Sequence, residues 1–249
     1  MAGASAFAKG AKFTFFGGLV GGTFGLGCWQ SQRYFWKIDL LEERRRALEA
    51  EPVALPAGAT ATSLVDSFPA LGERCRRVRV SGTYDAERTA VVGPRSAPPG
   101  VGTQATGLGT SPQGYVVFTV LTRPDGSEVL VNRGWAPRGD EAALTSCPSK
   151  PVDFVAVVDS GETPGTFSPV NTAKNILWVE LPFLRKHLNC AEDALLVNEC
   201  PTDGDRASWP KPRTPDHLLQ TAVMPPTHAA YAATWYALSF AGAFMSWYV

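Results

Sequence analysis

The chain has 249 residues, and its 23 basic and 23 acidic side chains give a formal net charge of zero. This balance gives no reason to expect a nucleic acid as partner, and the length suits one or two ordinary domains. Five irregularly spaced cysteines do not form the pattern of a disulfide framework or a zinc site, although Cys190 and Cys200 are close enough in sequence to form one disulfide.

The first segment without charge runs from Phe13 to Gln32 and contains no Asp, Glu, Lys or Arg. A helix of about 20 residues spans the hydrocarbon core of a bilayer. We therefore predict a short tail at 1–12 and a transmembrane helix at 13–32. A secretory signal peptide is the alternative, but the run ends in bulky aromatic residues and not in a clear cleavage site of small residues.

The second uncharged segment, 229–249, carries aromatic side chains at both ends, as expected where a helix crosses both membrane interfaces. We predict a second transmembrane helix at 227–249. Two spans place both termini on one side of the membrane and the soluble, β-rich domain at 33–226 on the other side.

The chain between the two spans first continues as a charged helix and then becomes rich in strand patterns. A hairpin is predicted around the turn sequence RPDGS, and a short helix is predicted from Leu181 to Leu188. The predicted strands are 76–84, 89–93, 114–122, 128–135, 153–160, 175–180 and 194–199. The predicted fold class is therefore a membrane protein of α and β structure, in which two transmembrane helices flank a small, mostly antiparallel β domain with one or two helices.

Small residues recur every four positions in both predicted spans. Such stripes let helix backbones approach closely in lipid, so we predict that they pair a span with the other span or with a helix of a different protein. The stripes are Gly17, Gly21 and Gly25 in the first span and Ala229, Ala233, Ala237 and Ala241 in the second.

The stretch CWQSQRYFWK at 28–37 places Trp29, Arg33 and Trp36 on one side of a helix. Gln30 and Lys37 lie beside Arg33 on an adjoining strip. An interfacial anchor would explain the tryptophans and cations, but it explains the glutamine less well.

His228 opens the second predicted span, with Tyr231 and Trp235 at i+3 and i+7. The two-span topology brings His228 and Trp29 to the same membrane surface, so we predict one site there. We expect no enzyme, because the chain lacks a phosphate loop, HExxH or Gly-x-Ser-x-Gly motif, and a Cys190–His187 hydrolase pair rests on spacing alone.

Three segments in order resemble signatures of the surfeit locus protein family, the assembly factors of haem–copper cytochrome c oxidase. They are GLGCWQSQRYFWK at 25–37, VLVNRGWAP at 129–137 and HAAYAATWYALS at 228–239. The resemblance covers the chain from about residue 20 to residue 240. Within the central signature we predict structural roles for Asn132, Arg133, Gly134 and Trp135, because they end a strand and Gly134 can adopt an unusual backbone angle.

The resemblance implies a non-enzymatic role in oxidase maturation, around the insertion of haem a into the largest oxidase subunit. It implies transient haem binding, because the histidine that is implicated in haem binding in some bacterial relatives corresponds to His228. On chemical grounds we expect the His228 imidazole to ligate iron, Trp29, Tyr231 and Trp235 to cover the macrocycle, and Arg33 or Lys37 to pair with propionates. A permanent accessory subunit of the oxidase is the alternative. We expect the mitochondrial inner membrane with the soluble domain in the intermembrane space, or else a bacterial plasma membrane with the domain in the periplasm.

Overall fold

A computed structural model describes residues 2–61, 63, 75–101, 112–201, 208–220 and 223–248. The chain divides into two compact units. The first consists of Met1–Glu43 and Gln220–Val249, and the second is Arg44–Leu219. The predicted soluble domain at 33–226 thus extends beyond the second unit at both ends.

The first unit consists of two long helices, α1 (Ala2–Glu49) and α5 (Pro225–Tyr248). Helix α1 is continuous through the predicted tail at 1–12 and through the predicted boundary at residue 33. Its last turns belong to the second unit. Helix α5 begins at two prolines, which are favoured in a first turn because proline has no N–H to leave unbonded there. Within the described parts of the chain, none of the helices has both the length and the apolarity needed to cross a membrane.

The second unit is built on a mixed sheet whose strands follow the order β1-β2-β3-β4-β6-β5. Strand β2 also pairs with β5, so the pairings return to their starting strand and the sheet closes on itself. Four strand pairs are antiparallel, while β1–β2 and β4–β6 are parallel. The strands are β1 (Val53–Ala54), β2 (Arg77–Ser96), β3 (Gln113–Thr122), β4 (Glu128–Pro137), β5 (Val152–Asp159) and β6 (Leu195–Glu199).

Strand β2 is twenty residues long and takes the place of two predicted strands, 76–84 and 89–93. Its first part pairs with β5 and its second part with β3, and the register shifts between Asp85 and Thr89. Irregularities of this kind bend a strand, which allows one strand to serve both sides of a closed sheet. The predicted strand at 175–180 contributes only isolated bridges, one of them between Ile176 and Val92.

The two largest apolar clusters lie on opposite faces of β4. Val129 and Val131 lie in one cluster, and Leu130 between them lies in the other. Helix α3 (Leu181–His187) covers the second cluster through Leu184. Because both faces are covered, residues 129–131 of β4 form a continuous apolar run and lack the alternation of a half-exposed strand. Two further short helices are described, α2 (Glu141–Thr145) and α4 (Pro215–Leu219).

Cys190 and Cys200 are both free thiols, so they do not form the disulfide that their spacing would allow. Cys200 is buried at the end of β6, and this burial raises the pKa of its thiol to about 11. Since the thiolate is the reactive form, Cys200 is an inert core residue at neutral pH.

Candidate functional site

Helices α1 and α5 pack through faces that combine small, polar and aromatic residues. Gly27 has no side chain, so the ring of Tyr236 lies directly against the α1 backbone, and a Cβ atom at Gly27 would be 2.6 Å from a ring carbon. The Phe24 and Tyr236 rings lie 5.6 Å apart between centroids. On α5, Ala232 and Ser239 are buried on the same face. This close approach requires glycine at position 27.

Two interhelical hydrogen bonds set the register of the pair. The Ser31 hydroxyl lies 3.1 Å from the Tyr236 hydroxyl, and the Ser239 hydroxyl donates to the Val20 carbonyl at 3.0 Å. A shift of one helix along the other would break both bonds. The register therefore places the start of α5 beside Gln30.

His228 and Gln30 form a direct side-chain hydrogen bond, with 2.8 Å between Nδ1 of the ring and Oε1 of the amide. An amide oxygen only accepts, so Nδ1 donates this bond, and in the neutral ring the lone pair is then on Nε2. Among the described residues, Nε2 has no hydrogen-bond partner. Gln30 thus holds the ring of a half-buried histidine in one orientation, with Nδ1 as the donor.

The aromatic and cationic residues predicted for this site are mostly at the surface. The side chains of Trp29 and Tyr231 are 51% and 53% exposed, and Trp235 is half-buried. The Arg33 guanidinium lies 4.6 Å and the Lys37 ammonium 5.6 Å from the centroid of the Trp36 ring. These three side chains form a cation–π cluster on α1. Within the described residues, no hydrogen bond or ring contact joins them to His228.

The predicted stripes of small residues do not join α1 to α5. A Cβ atom at Gly17, Gly21 or Gly25 would meet nothing within 4 Å, and the four alanines of the α5 stripe are exposed. Sequence reasoning missed the glycines that do lie in the contact, Gly27 and Gly242. Two residues along a helix is about 200° of rotation, so Gly25 and Gly27 point to opposite sides.

The central signature, in the second unit, contains a buried hydrogen-bond network. The Asn132 amide donates to Asn198 at 2.7 Å, and the Asn198 amide donates to Asp159 at 2.6 Å. The Asn132 oxygen accepts from the Gly134 backbone N–H at 3.0 Å. These bonds give the buried polar groups the partners that they need. They also join β4 to β6 and to the end of β5.

Gly134 and Trp135 tie β4 to the segment around Lys211. Gly134 has a φ of +118°, and a Cβ atom there would lie 1.9 Å from the Lys211 carbonyl oxygen. The backbones of Trp135 and Lys211 exchange two hydrogen bonds of 2.8 Å. The Trp135 indole donates to the Arg95 carbonyl at 3.0 Å. Only glycine fits at position 134.

Arg133 is the extra residue of a bulge, because its neighbours Asn132 and Gly134 pair with consecutive residues of β3. Its guanidinium is buried, donates to the Ser146 carbonyl at 2.5 Å and lies 5.1 Å from the Tyr84 ring centroid. Sequence reasoning missed Asn198 and Asp159, whose local sequence gives no signal of the network.

In its neutral form, the His228 ring offers one lone pair, on Nε2, because Nδ1 donates to Gln30. Among the described residues there is no group of three His, Cys, Asp or Glu side chains able to hold a metal ion. A metal held by a porphyrin needs only an axial ligand from the protein, and a histidine with an anchored Nδ1–H is suited to that role.

The sequence model of the SURF1 family matches residues 18–240 of this chain. The SURF1-like protein of Drosophila melanogaster is 32% identical, over 91% of this chain and 73% of its own length. Surfeit locus protein 1 of Arabidopsis thaliana is 28% identical over 90% of this chain and 73% of its own length. The protein of that name from Takifugu rubripes is 29% identical over 90% of both chains. These similarities run from the glycine-rich part of α1 to the middle of α5, and the chain belongs to the SURF1 family.

Proposed function

We propose that this chain assists the assembly of haem–copper cytochrome c oxidase by holding haem a in transit to the largest oxidase subunit. Membership of the SURF1 family supports the assembly role. The observation that carries the haem step is the hydrogen bond from His228 to Gln30. This bond leaves Nε2 as the nitrogen available to iron and prevents the ring from turning to present Nδ1.

The surroundings of His228 have side chains suited to the rest of a haem. Tyr231 and Trp29 expose aromatic surface that a macrocycle can cover, and Trp235 lies on the same helix as His228. Arg33 is exposed on α1 and could pair with a propionate, with Lys37 one turn further along. Both cations would then give up their cation–π contacts with the Trp36 ring. Such a contact contributes only about 1 kcal/mol at an exposed site.

We also propose that α1 and α5 lie in a membrane as a pair. Large apolar side chains are exposed along both helices, among them Phe15, Leu19, Phe240, Phe244 and Trp247. Several hydroxyls of the pair are bonded within it: Thr23, Ser31, Ser239 and Ser246 each donate to a backbone carbonyl of one of the two helices. Lipid tolerates polar groups that are satisfied internally. The membrane would be the mitochondrial inner membrane, or the plasma membrane of a bacterium.

A permanent accessory subunit of the oxidase is the second candidate. The observation in its favour is that both stripes of small residues lie on outward faces of the helix pair. Such faces allow close packing against helices of another protein. In that case His228 and Gln30 would serve as a packing contact only, and the chain would be present at one copy in the mature enzyme.

The deciding experiment is the absorbance spectrum of the chain purified from cells that make haem a. We expect a Soret band in the wild type, no band in His228→Ala and a reduced band in Arg33→Ala. His187→Ala changes an exposed histidine of the second unit and should leave the band unchanged. A wild-type preparation without haem, together with full oxidase assembly by His228→Ala, would overturn the haem proposal. Recovery of the chain in stoichiometric amount with the mature oxidase would support the accessory subunit.

The membrane proposal has its own test, which does not depend on haem. Carbonate at alkaline pH strips peripheral proteins from membranes and leaves integral ones behind. We expect the intact chain to stay in the membrane pellet. Release of the intact chain into the supernatant would contradict the proposal.

A further inference from the structure

The second unit contains a small cavity, of about 170 Å³, that the proposed haem function does not use. It lies where the ends of β2, β3 and β4 are adjacent, and residues of all three strands line it. Among the residues that line it are Arg95, Arg213, Glu162, Trp135, Val116 and Val179. The volume is enough for several water molecules or for a small organic group.

Arg95 is held rigidly at the wall of this cavity. Its Nη2 donates to Glu162 at 2.5 Å and to the Leu177 carbonyl at 3.0 Å, and its guanidinium lies 5.5 Å from the Trp178 ring centroid. Within the described residues, Nε and Nη1 of Arg95 have no hydrogen-bond partner. A fixed guanidinium with free donors is prepared for an anion, because little side-chain entropy remains to be lost on binding.

Arg213 is the second cation of the cavity. Its side chain is exposed, and it makes no hydrogen bond or ion pair with any residue that the structure describes. Glu162 already accepts from Arg95 and from the Val179 backbone N–H at 3.0 Å. The two arginines and the one carboxylate leave a net charge of +1 at the lining.

The rest of the lining is apolar or internally bonded. Val116, Val179 and the Trp135 ring supply apolar wall, and the Trp135 N–H is occupied by the Arg95 carbonyl. We propose that this cavity binds a carboxylate that carries a short apolar body, with the carboxylate between Arg95 and Arg213. A monoanion matches the net charge of +1, whereas a phosphate dianion would be repelled more strongly by Glu162.

The test uses isothermal titration calorimetry on the full-length chain, with butyrate as the probe and butyramide as its uncharged counterpart. We expect saturable binding of butyrate and none of butyramide. Arg213→Gln should raise the Kd for butyrate about tenfold, the effect of losing one charge-assisted hydrogen bond. Because Arg213 is exposed, this variant is expected to fold normally, which its thermal melting curve will establish.

The matched control is Arg138→Gln, which removes another exposed arginine of the same unit that does not line this cavity. We expect its Kd for butyrate to equal that of the wild type. Equal binding of butyrate and butyramide, an unchanged Kd in Arg213→Gln, or tighter binding of inorganic phosphate than of butyrate would each overturn the proposal. So would the lack of saturable binding up to about 50 mM butyrate, a concentration that would detect even very weak sites.

Discussion

Nδ1 of His228 lies 2.8 Å from the amide oxygen of Gln30, a residue 198 positions earlier in the chain. The bond joins Gln30, which lies within α1, to His228 in the first turn of α5. It gives the histidine one tautomer and one ring orientation. A residue that orients a metal ligand in this way affects binding without touching the metal.

We predict that Gln30→Ala weakens haem binding about tenfold, less than the complete loss expected for His228→Ala. Gln30→Glu keeps an oxygen acceptor for Nδ1–H and should retain binding. The measurement is a haem titration followed by absorbance. Gln32→Ala, which changes an exposed glutamine two residues away, is the control and should behave as the wild type. Equal affinities for Gln30→Ala and the wild type would show that the bond does not orient the ligand.

We predict that Gly27→Ala destabilises the helix pair and Gly25→Ala does not. The added methyl at position 27 would lie 2.6 Å from the Tyr236 ring, so the ring must move and the Ser31–Tyr236 bond must stretch or break. Overpacking of this kind costs about 1–3 kcal/mol. At position 25 a methyl meets nothing within 4 Å and gains about 1 kcal/mol of helix propensity.

The measurement for this pair of variants is thermal unfolding followed by circular dichroism at the helix band. The melting temperature should fall in Gly27→Ala and stay level or rise in Gly25→Ala. A fall in Gly25→Ala would mean that another helix packs on the stripe in the purified protein. Identical curves for both variants would contradict the packing described for Tyr236.

We predict that Gly134→Ala strongly lowers the yield of folded protein. A Cβ atom there would overlap the Lys211 carbonyl oxygen, and the φ of +118° is unfavourable for any other residue. Gly126→Ala is the control, because Gly126 has a φ of +81° but open space around its Cα. Backbone strain alone costs about 1–2 kcal/mol. The soluble yield and melting temperature of the two variants separate the overlap with Lys211 from the backbone strain. Equal losses in Gly134→Ala and Gly126→Ala would leave no role for the Lys211 contact.

We predict that Asp125 stabilises the hairpin turn between β3 and β4 in a pH-dependent way. Hydrogen bonds from Ser127, and then from the Gly58 N–H, hold the pKa of its carboxyl at about 2, below its usual 3.8. The unfolded chain therefore binds this proton at a higher pH than the folded chain. The contribution is complete above about pH 4 and is lost as the pH falls towards 2.

Asp125→Asn should accordingly lower the free energy of unfolding at pH 7 by about 1 kcal/mol, less than a buried charged hydrogen bond contributes, because solvent screens this exposed carboxylate. Near pH 2 the wild type and the variant should differ much less. The measurement is denaturant unfolding at both pH values. A difference between the two proteins that is constant from pH 7 to pH 2 would show that the charge is not responsible.

The family could be recognised from the sequence alone. Three short motifs in the correct order indicated it, and the match of the family model over residues 18–240 confirms it. The hairpin turn at RPDGS and the helix that begins at Leu181 also follow from local sequence, because turn residues and helix starts depend on a few neighbouring residues. The alternating and apolar runs indicated β structure for the same local reason.

The tertiary structure decided which distant residues meet. Periodicity predicted two stripes of small residues, but the rotation of each helix about its axis determines which side faces its partner. That rotation follows from the packing of Tyr236 on Gly27 and from the bond between Ser239 and Val20. It places the stripes outside and Gln30 beside His228. In the second unit, the bond of Asn132 to Asn198 and the position of Arg213 at the cavity arise in the same way. The local sequence determines which face of a helix or strand is apolar. Which faces come into contact depends on the packing of all the elements together, and therefore on the tertiary structure.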